Sequence, residues 1–223
     1  MLSDLRADVG RGIAGGPPAA PATSEVVADE RLGQELLRIA RASIAGALGL
    51  PVAAAKEEDV RLQEVGATFV TIRQASSGAL HGCIGTLSPR RNLAADVRSN
   101  AVAAAFLDPR SPPLMLEDYG DISIEVSLLG PIVPFEVESR SDALAKMRRD
   151  EGYVLTWGPV RGVLLPQVWD QCADASAFLR CLQLKAGLPP DFWPDGIRLS
   201  KFRLAKWKDE ARSGADRAAA PHA

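Results

Sequence analysis

The sequence predicts an α+β protein built on antiparallel sheet, and three observations lead there. β-prone runs come in neighbouring pairs joined by short, glycine-containing connections, one run alternates strictly between apolar and polar residues, and helical stripes fall between them without a strand–helix–strand repeat. The chain has 223 residues, 47% of them hydrophobic, enough for one substantial core, as one domain or as two intimately packed subdomains.

Residues 1–27 are rich in Gly, Pro and Ala without periodicity and read as a disordered N-terminal extension. Residues 211–223 read as a disordered C-terminal tail, leaving 28–210 as the folded domain. In ADERLGQELLRIARASIAGALGL, Leu32, Leu36, Ile39, Ala40 and Ala47 fall on one helical stripe that ends before Pro51, a helix suited to cap a sheet. GATFVTIR and ALHGCIGTL, joined by QASSG, read as an antiparallel hairpin. Asn92 is placed to cap a helix LAADVRSNAVAAAF, which DPRSPPL stops. In DISIEVSLLG, Ile122, Ile124, Val126 and Leu128 alternate with Ser123, Glu125 and Ser127, predicting a strand with one core face and one polar face. Ser141 is placed to cap a short helix through Met147, and GYVLTWG and RGVLLPQV turn at Gly158–Pro159 as a second hairpin. Asp174 starts the helix ASAFLRCLQLKAG with Gly187 at its end, and IRLSKFRLAKW closes the fold as one β-prone segment.

Charge and composition remove several function classes. Lys and Arg number 26 against 28 Asp and Glu, so a formal charge of −2 provides no field to hold nucleic acid or an acidic membrane. The start lacks the apolar core of a secretory signal and no run is long enough to span a bilayer, which leads to the expectation of a cytoplasmic protein. Three widely spaced cysteines, Cys83, Cys172 and Cys181, suit reduced thiols better than a disulfide framework. With two histidines, one of them His222 in the tail, no metal-ligand spacing occurs, and neither a metal nor a cofactor is expected.

The chemistry-bearing stretch is LHGCIGTL. If it is extended throughout, His81, Cys83 and Gly85 share one face, so that imidazole and thiol are neighbours and Gly85 leaves an open slot beside the sulfur. A cation beside a thiol favours the thiolate, the reactive species. Gly82 and Gly85 let another backbone or a ligand approach closely. The residues alone also allow Cys83 to be a small buried hydrophobe beside a bulge. Just beyond, Arg90 and Arg91 stand at the start of the Asn92 helix, where free N–H groups favour an anion.

GATFVTIR, GCIGTL, AAAFLDPRSPPL, ISIEVSLLGP, and GVLLPQVW followed by FLRCLQLKAGL occur in that order and together resemble the AMMECR domain family, whose bacterial and archaeal members are called AmmeMemoRadiSam system protein A. The resemblance spans roughly residues 31–208. Its strand motif reads L-R-G-C-I-G, so Leu80, Gly82, Cys83, Ile84 and Gly85 match and His81 replaces arginine. In D-P-R-F-P-P-L, Asp108, Pro109, Arg110, Pro112 and Pro113 match and Ser111 replaces the aromatic residue. Histidine titrates near neutrality and lacks the guanidinium fork, which weakens anion recognition by this motif and favours a cysteine–base pairing. The resemblance implies two packed subdomains around antiparallel sheet, supplies no reaction, and associates the family with a Memo-like protein and a radical-SAM-type protein.

These observations favour a ligand- or substrate-binding protein. Its catalytic candidates are Cys83 and His81, and Gly82, Gly85, Arg90, Arg110 and Glu125 line the pocket for an unknown small molecule. A second reading is a non-enzymatic adaptor docking onto the Memo-like or radical-SAM partner through Trp157, Trp169, Phe192, Trp193 and Trp207. RNA binding through Arg90, Arg91, Arg198, Lys201, Arg203, Lys206 and Lys208 comes third, because stacking aromatics and net basicity are missing. Among the thiols, Cys83 is expected to react first.

Overall fold

A computed structural model describes residues 29–52 and 57–209; the expected terminal extensions, with His222, lie outside the described residues. In chain order the elements are α1 (Glu30–Ala47), β1 (Val65–Gly66), β2 (Thr68–Gln74), β3 (Leu80–Gly85), β4 (Arg91–Asn92), α2 (Leu93–Phe106), β5 (Ile122–Leu129), β6 (Val133–Pro134), α3 (Arg140–Lys146), β7 (Gly152–Trp157), β8 (Val160–Leu164), α4 (Ala175–Lys185), β9 (Arg198–Phe202) and β10 (Leu204–Lys208). The architecture is α+β with antiparallel sheets, and the described residues divide into two compact units, one of residues 29–131 together with 202–209, the other of residues 132–201.

The first unit is a four-stranded sheet in the order β10-β5-β2-β3, with α1 packed on β5 and β10 and α2 on β2 and β3. α1 begins because the Asp29 carboxylate accepts the Arg31 and Leu32 N–H groups, satisfying donors that a helix start leaves free. It stops at Leu48, followed by Gly49 at φ +77°, so glycine ends the helix before Pro51 is reached. Leu36, Ala40 and Ile44 are fully buried, whereas Ala47 faces out. Burying a side chain the size of Leu36 or Ile44 contributes about 1.5–3 kcal/mol. Where Gly33 would carry a Cβ, the Trp207 ring lies 2.2 Å away, so the helix backbone rests directly on β10. The sheet's apolar face, with Val70, Ile72, Ile124, Val126 and Ala205, completes this core. β2 and β3 form the expected hairpin, turning through Gly78 at φ +72°. A two-residue pairing of β1 with β4 closes beside the start of α2.

The second unit is a sheet in the order β6-β9-β7-β8 around Tyr153, Leu155, Phe178, Leu179 and Leu182, all fully buried. β7 and β8 are the second expected hairpin, turning at Gly158. α4 is capped by Asp174 and ends before Gly187, as the sequence indicates. Two expectations are corrected. The cap of α3 is Ser139 rather than Ser141: the Ser139 hydroxyl accepts the Asp142 N–H at 3.1 Å, and the helix starts earlier. IRLSKFRLAKW is two strands rather than one, broken at Arg203, with β9 in the second unit's sheet and β10 in the first unit's.

Candidate functional site

Register decides where the side chains of β3 point. β2 and β3 pair from Phe69 opposite Gly85 to Ile72 opposite Gly82, but Arg73 then lies opposite Leu80, so His81 is an extra residue in β3. Such a bulge interrupts the alternation of faces. His81 turns to α2, where its Nε2–H donates to the Ala105 carbonyl at 3.1 Å, which fixes the tautomer. The expected sharing of a face by His81 and Cys83 is therefore overturned.

Cys83 instead faces Thr71, whose hydroxyl donates to Sγ at 3.3 Å. Thr71 also lies opposite Glu125 on β5, and Glu125 opposite Lys208 on β10. Cys83, Thr71, Glu125 and Lys208 thus form one row across all four strands, on the face away from the helices. Strands about 4.8 Å apart put Cys83 and Glu125 about 10 Å from each other, too far for Glu125 to take the thiol proton directly.

β3 is an edge strand, and its outward-facing backbone at Cys83 is clamped from the side. The Cys83 N–H donates to the Asp108 carboxylate at 2.8 Å, and Arg110 Nη2 donates to the Cys83 carbonyl at 3.0 Å. Arg110 grips the same carboxylate with two hydrogen bonds, of 2.9 and 2.6 Å. Those bonds, helped by the N–H groups of Cys83 and Arg110 and opposed by burial, hold the Asp108 carboxyl well below the usual carboxylate range; the same hydrogen bonds, with the Asp108 charge, raise Arg110 in turn. The Asp108–Arg110 pair takes the place of a neighbouring strand at one residue. Asp108 is visible in the sequence only as part of DPR and has no role assigned there.

The two glycines serve close approach, against different neighbours. A Cβ on Gly82 would sit 2.0 Å from the Ala104 carbonyl, so glycine lets β3 touch the backbone of α2. At Gly85 the expected open slot is filled: the Phe69 ring covers it, 2.1 Å from where a Cβ would be.

Arg90 is exposed, away from this row in sequence and at the other end of β3 from His81. The α2 start beside it is not an open anion site. The Leu93 N–H donates to the Glu64 carbonyl, the Ala95 N–H to Asn92, and Arg91 pairs with Asp96 at 3.1 Å. Asp96, fully buried, also accepts from the Thr68 N–H and hydroxyl, from the Thr86 hydroxyl and from Asn100. This network escapes sequence reasoning, although its signal is present: Asp96 and Asn100 stand four apart among the apolar residues of α2, where a polar residue needs buried partners.

On the same sheet face, Arg73, Ser123, Lys208 and Asp209 line a depression of about 390 Å³ with Gln74, Ala75 and Gly78. Asp209 is held there by Arg41 and by the Ile124 N–H. Among the described residues, no three His, Cys, Asp or Glu side chains group as metal ligands, and no helix is long and apolar enough to cross a membrane. The aromatic residues proposed as docking anchors divide: Trp169 and Trp207 are buried in their cores, while Trp157, Phe192 and Trp193 pack partly buried against the second core. The basic end segment is split between β9 and β10, in the sheets of different units, and Lys201 is engaged by Glu151 at 2.9 Å.

Residues 37–207 match the AMMECR1 family. A protein of Methanothermobacter thermautotrophicus is 41% identical over 138 residues, covering 60% of this chain and 71% of its own length. One of Sulfurisphaera tokodaii is 35% identical over 193 residues, covering 82% and 84%. The crystal structure of the uncharacterized protein PH0010 from Pyrococcus horikoshii superposes with a TM-score of 0.67 at 32% identity, covering 81% of this chain and 92% of that one. None of these names states an activity.

Proposed function

The chain belongs to the AMMECR1 family, and from that premise we propose that it is a ligand- or substrate-binding protein of the AmmeMemoRadiSam system whose site is the outer face of the β10-β5-β2-β3 sheet, with Cys83 as its reactive contact. The observation that carries this reading is the in-register row Cys83, Thr71, Glu125 and Lys208 beside the depression lined by Arg73 and Ser123. A thiol, a hydroxyl, a carboxylate and two cations at strand spacing suit an elongated polar molecule. An anionic end would meet Arg73 and Lys208, a hydrogen-bond donor would face Glu125, and an electrophilic or soft group would lie near Sγ. Arg110 and Asp108 hold the Cys83 backbone still while its side chain is engaged. Gly82 and His81 seat the strand on α2, which makes them positioning rather than contacting residues.

The test is protection of Cys83 from iodoacetamide by fractionated metabolites, read by peptide mass spectrometry. A protecting fraction should also raise the Tm of the wild type, and Thr71→Val or Glu125→Gln should abolish both effects. Protection that survives both substitutions, or no protecting fraction at all, would overturn the site.

The adaptor reading draws on a different surface. Leu107, Met115 and Leu116, on either side of the Asp108–Pro113 loop, are exposed apolar side chains and suit contact with a Memo-like or radical-SAM-type protein better than the tryptophans do. Loss of co-purification on Leu107→Asp, with Cys83 protection unchanged, would favour docking at that surface.

A further inference from the structure

The unit of residues 132–201 carries a depression of about 800 Å³, larger than the one beside the Cys83 row, and cations dominate its wall. Three separate pieces of chain build it. The end of α3 and the turn into β7 supply Lys146, Arg148 and Arg149, β9 supplies Lys201, and the segment after β6 supplies Phe135. Among the described residues, the lining sets one carboxylate, Asp150, against these four cations, and it faces Arg148 at 3.5 Å with both side chains exposed. A chain of net charge −2 has no general surplus of cations to scatter here.

The cations are also held in place. α3 ends at Met147, the Arg148 N–H donates to the Tyr153 hydroxyl at 2.8 Å, and the Glu151 N–H closes the turn on the Arg148 carbonyl at 3.2 Å. Tyr153 is fully buried and donates to the Glu151 carboxylate at 2.8 Å, so the turn that carries Arg148 and Arg149 is anchored in the core. The other Glu151 oxygen accepts from Lys201 Nζ at 2.9 Å, and the Phe135 ring centroid lies 5.5 Å from the same ammonium. An ammonium has three N–H donors, of which this bond uses one. Arg149 is held by neutral groups: its Nη2 donates to the Ala173 carbonyl at 2.9 Å, and its guanidinium lies 5.8 Å from the Trp169 ring centroid. A carbonyl and a ring orient a guanidinium without cancelling its charge.

We infer that this depression binds the phosphate groups of a small molecule, with Lys146, Arg148, Arg149 and Lys201 donating to the phosphate oxygens. The match is one of donors to acceptors. A guanidinium forks onto two oxygens and an ammonium meets one as a point charge, so four cations offer more donors than the two oxygens of a carboxylate can use, and linked phosphates can use them. Because the turn and Lys201 are fixed beforehand, little side-chain freedom is lost when the anion arrives. The ligand replaces Asp150 as the partner of Arg148. The depression is larger than phosphate groups alone require, and Phe135, Ala145 and Met147 give its wall an apolar part for the rest of the molecule. This site is separate from the Cys83 face and stands whether or not that face binds a ligand.

The probe is inorganic pyrophosphate, titrated into the full chain by isothermal titration calorimetry, with sodium sulfate at equal ionic strength as the reference anion. Pyrophosphate should bind at a single site and raise the Tm at concentrations where sulfate does neither, and binding should slow hydrogen exchange in the turn after α3. Lys146→Gln combined with Arg148→Gln changes two exposed side chains and should weaken binding by about tenfold or more. Arg148→Gln alone should act in the same direction by severalfold. Arg161→Gln combined with Arg198→Gln removes two exposed cations of the same unit outside the lining and should change affinity by less than about twofold. The Tm of each unliganded variant checks its fold. Thr71→Val and Glu125→Gln should leave pyrophosphate binding intact, which separates this site from the Cys83 face. Equal affinity for sulfate and pyrophosphate, equal losses in the two double variants, protection confined to other segments, or no binding of pyrophosphate would overturn the inference.

Discussion

His81 shows how one residue of register changes the chemistry available to a strand. Read as regular β-structure, LHGCIG pairs an imidazole with a thiol; the bulge hands His81 to the Ala105 carbonyl and leaves Thr71 as the side-chain partner of Cys83. His81→Ala should therefore leave the rate and pH profile of Cys83 alkylation unchanged within about twofold, whereas Thr71→Val should slow it severalfold by removing the hydroxyl that donates to sulfur. A large effect of His81→Ala with none from Thr71→Val would restore the pairing read from sequence. Cys172, buried and pushed up to about 11, should be the slowest of the three thiols. The glycines also separate. Gly82→Ala drives a methyl into the α2 backbone, which cannot yield, and should cost about 3 kcal/mol or more; Gly85→Ala meets a ring that can rotate away and should cost about 1 kcal/mol. Urea unfolding midpoints would check the order. Cys83 and both glycines were legible in the sequence as a site of close approach. The bulge was not, because it follows from the pairing partner rather than from the strand's own residues.

At the level of elements, caps and stripes carried most of the legible information. Asn92, Asp174 and Gly187 stand where their local chemistry says, because a cap is satisfied within a few residues. What could not be read was held by long-range partners: the two-residue strands β1, β4 and β6, the division of the last segment into β9 and β10, and the turn Val60–Gln63. That turn is tied down by Arg61, which bridges Asp59, its own cap, and Asp29, the cap of α1. Hydrogen bonds from Arg61 lower Asp59 to about 2. A carboxyl lowered by folding adds stability that is complete above the ordinary aspartate pKa near 4, fades as pH falls and is gone below about 2. Asp59→Asn should thus cost about 1 kcal/mol at pH 6 after solvent screening, and the gap to wild type should narrow at pH 4 and again at pH 3 in urea titrations. A gap that stays constant across that range would mean the ion pair contributes nothing.

For the whole molecule, antiparallel α+β architecture was readable because both hairpins are local, each closed by its own glycine. The division into units was less so, since the unit of residues 132–201 interrupts the other between β5 and β10. Leu129 and Leu204 are nevertheless direct partners in one sheet, and Val133 and Lys201 in the other. In polymer terms, everything between β5 and β10 is a loop whose length depends on its own state. With β6 and β9 paired, β5 and β10 are joined as if by a short hairpin connection; with residues 132–201 unfolded, the same closure spans the full intervening chain and costs about 2.5 kcal/mol more. Folding of the inserted unit therefore stabilises the edge strand β10 through chain entropy. Leu182→Ala, a cavity in the inserted core, should expose this coupling. When denaturant unfolds residues 132–201 in that variant, β10 amides should lose hydrogen-exchange protection by up to about 2.5 kcal/mol while β2 amides keep theirs. Unchanged β10 protection would show that closure is entropically free, and that β10 finds its place without help from the chain that delivers it.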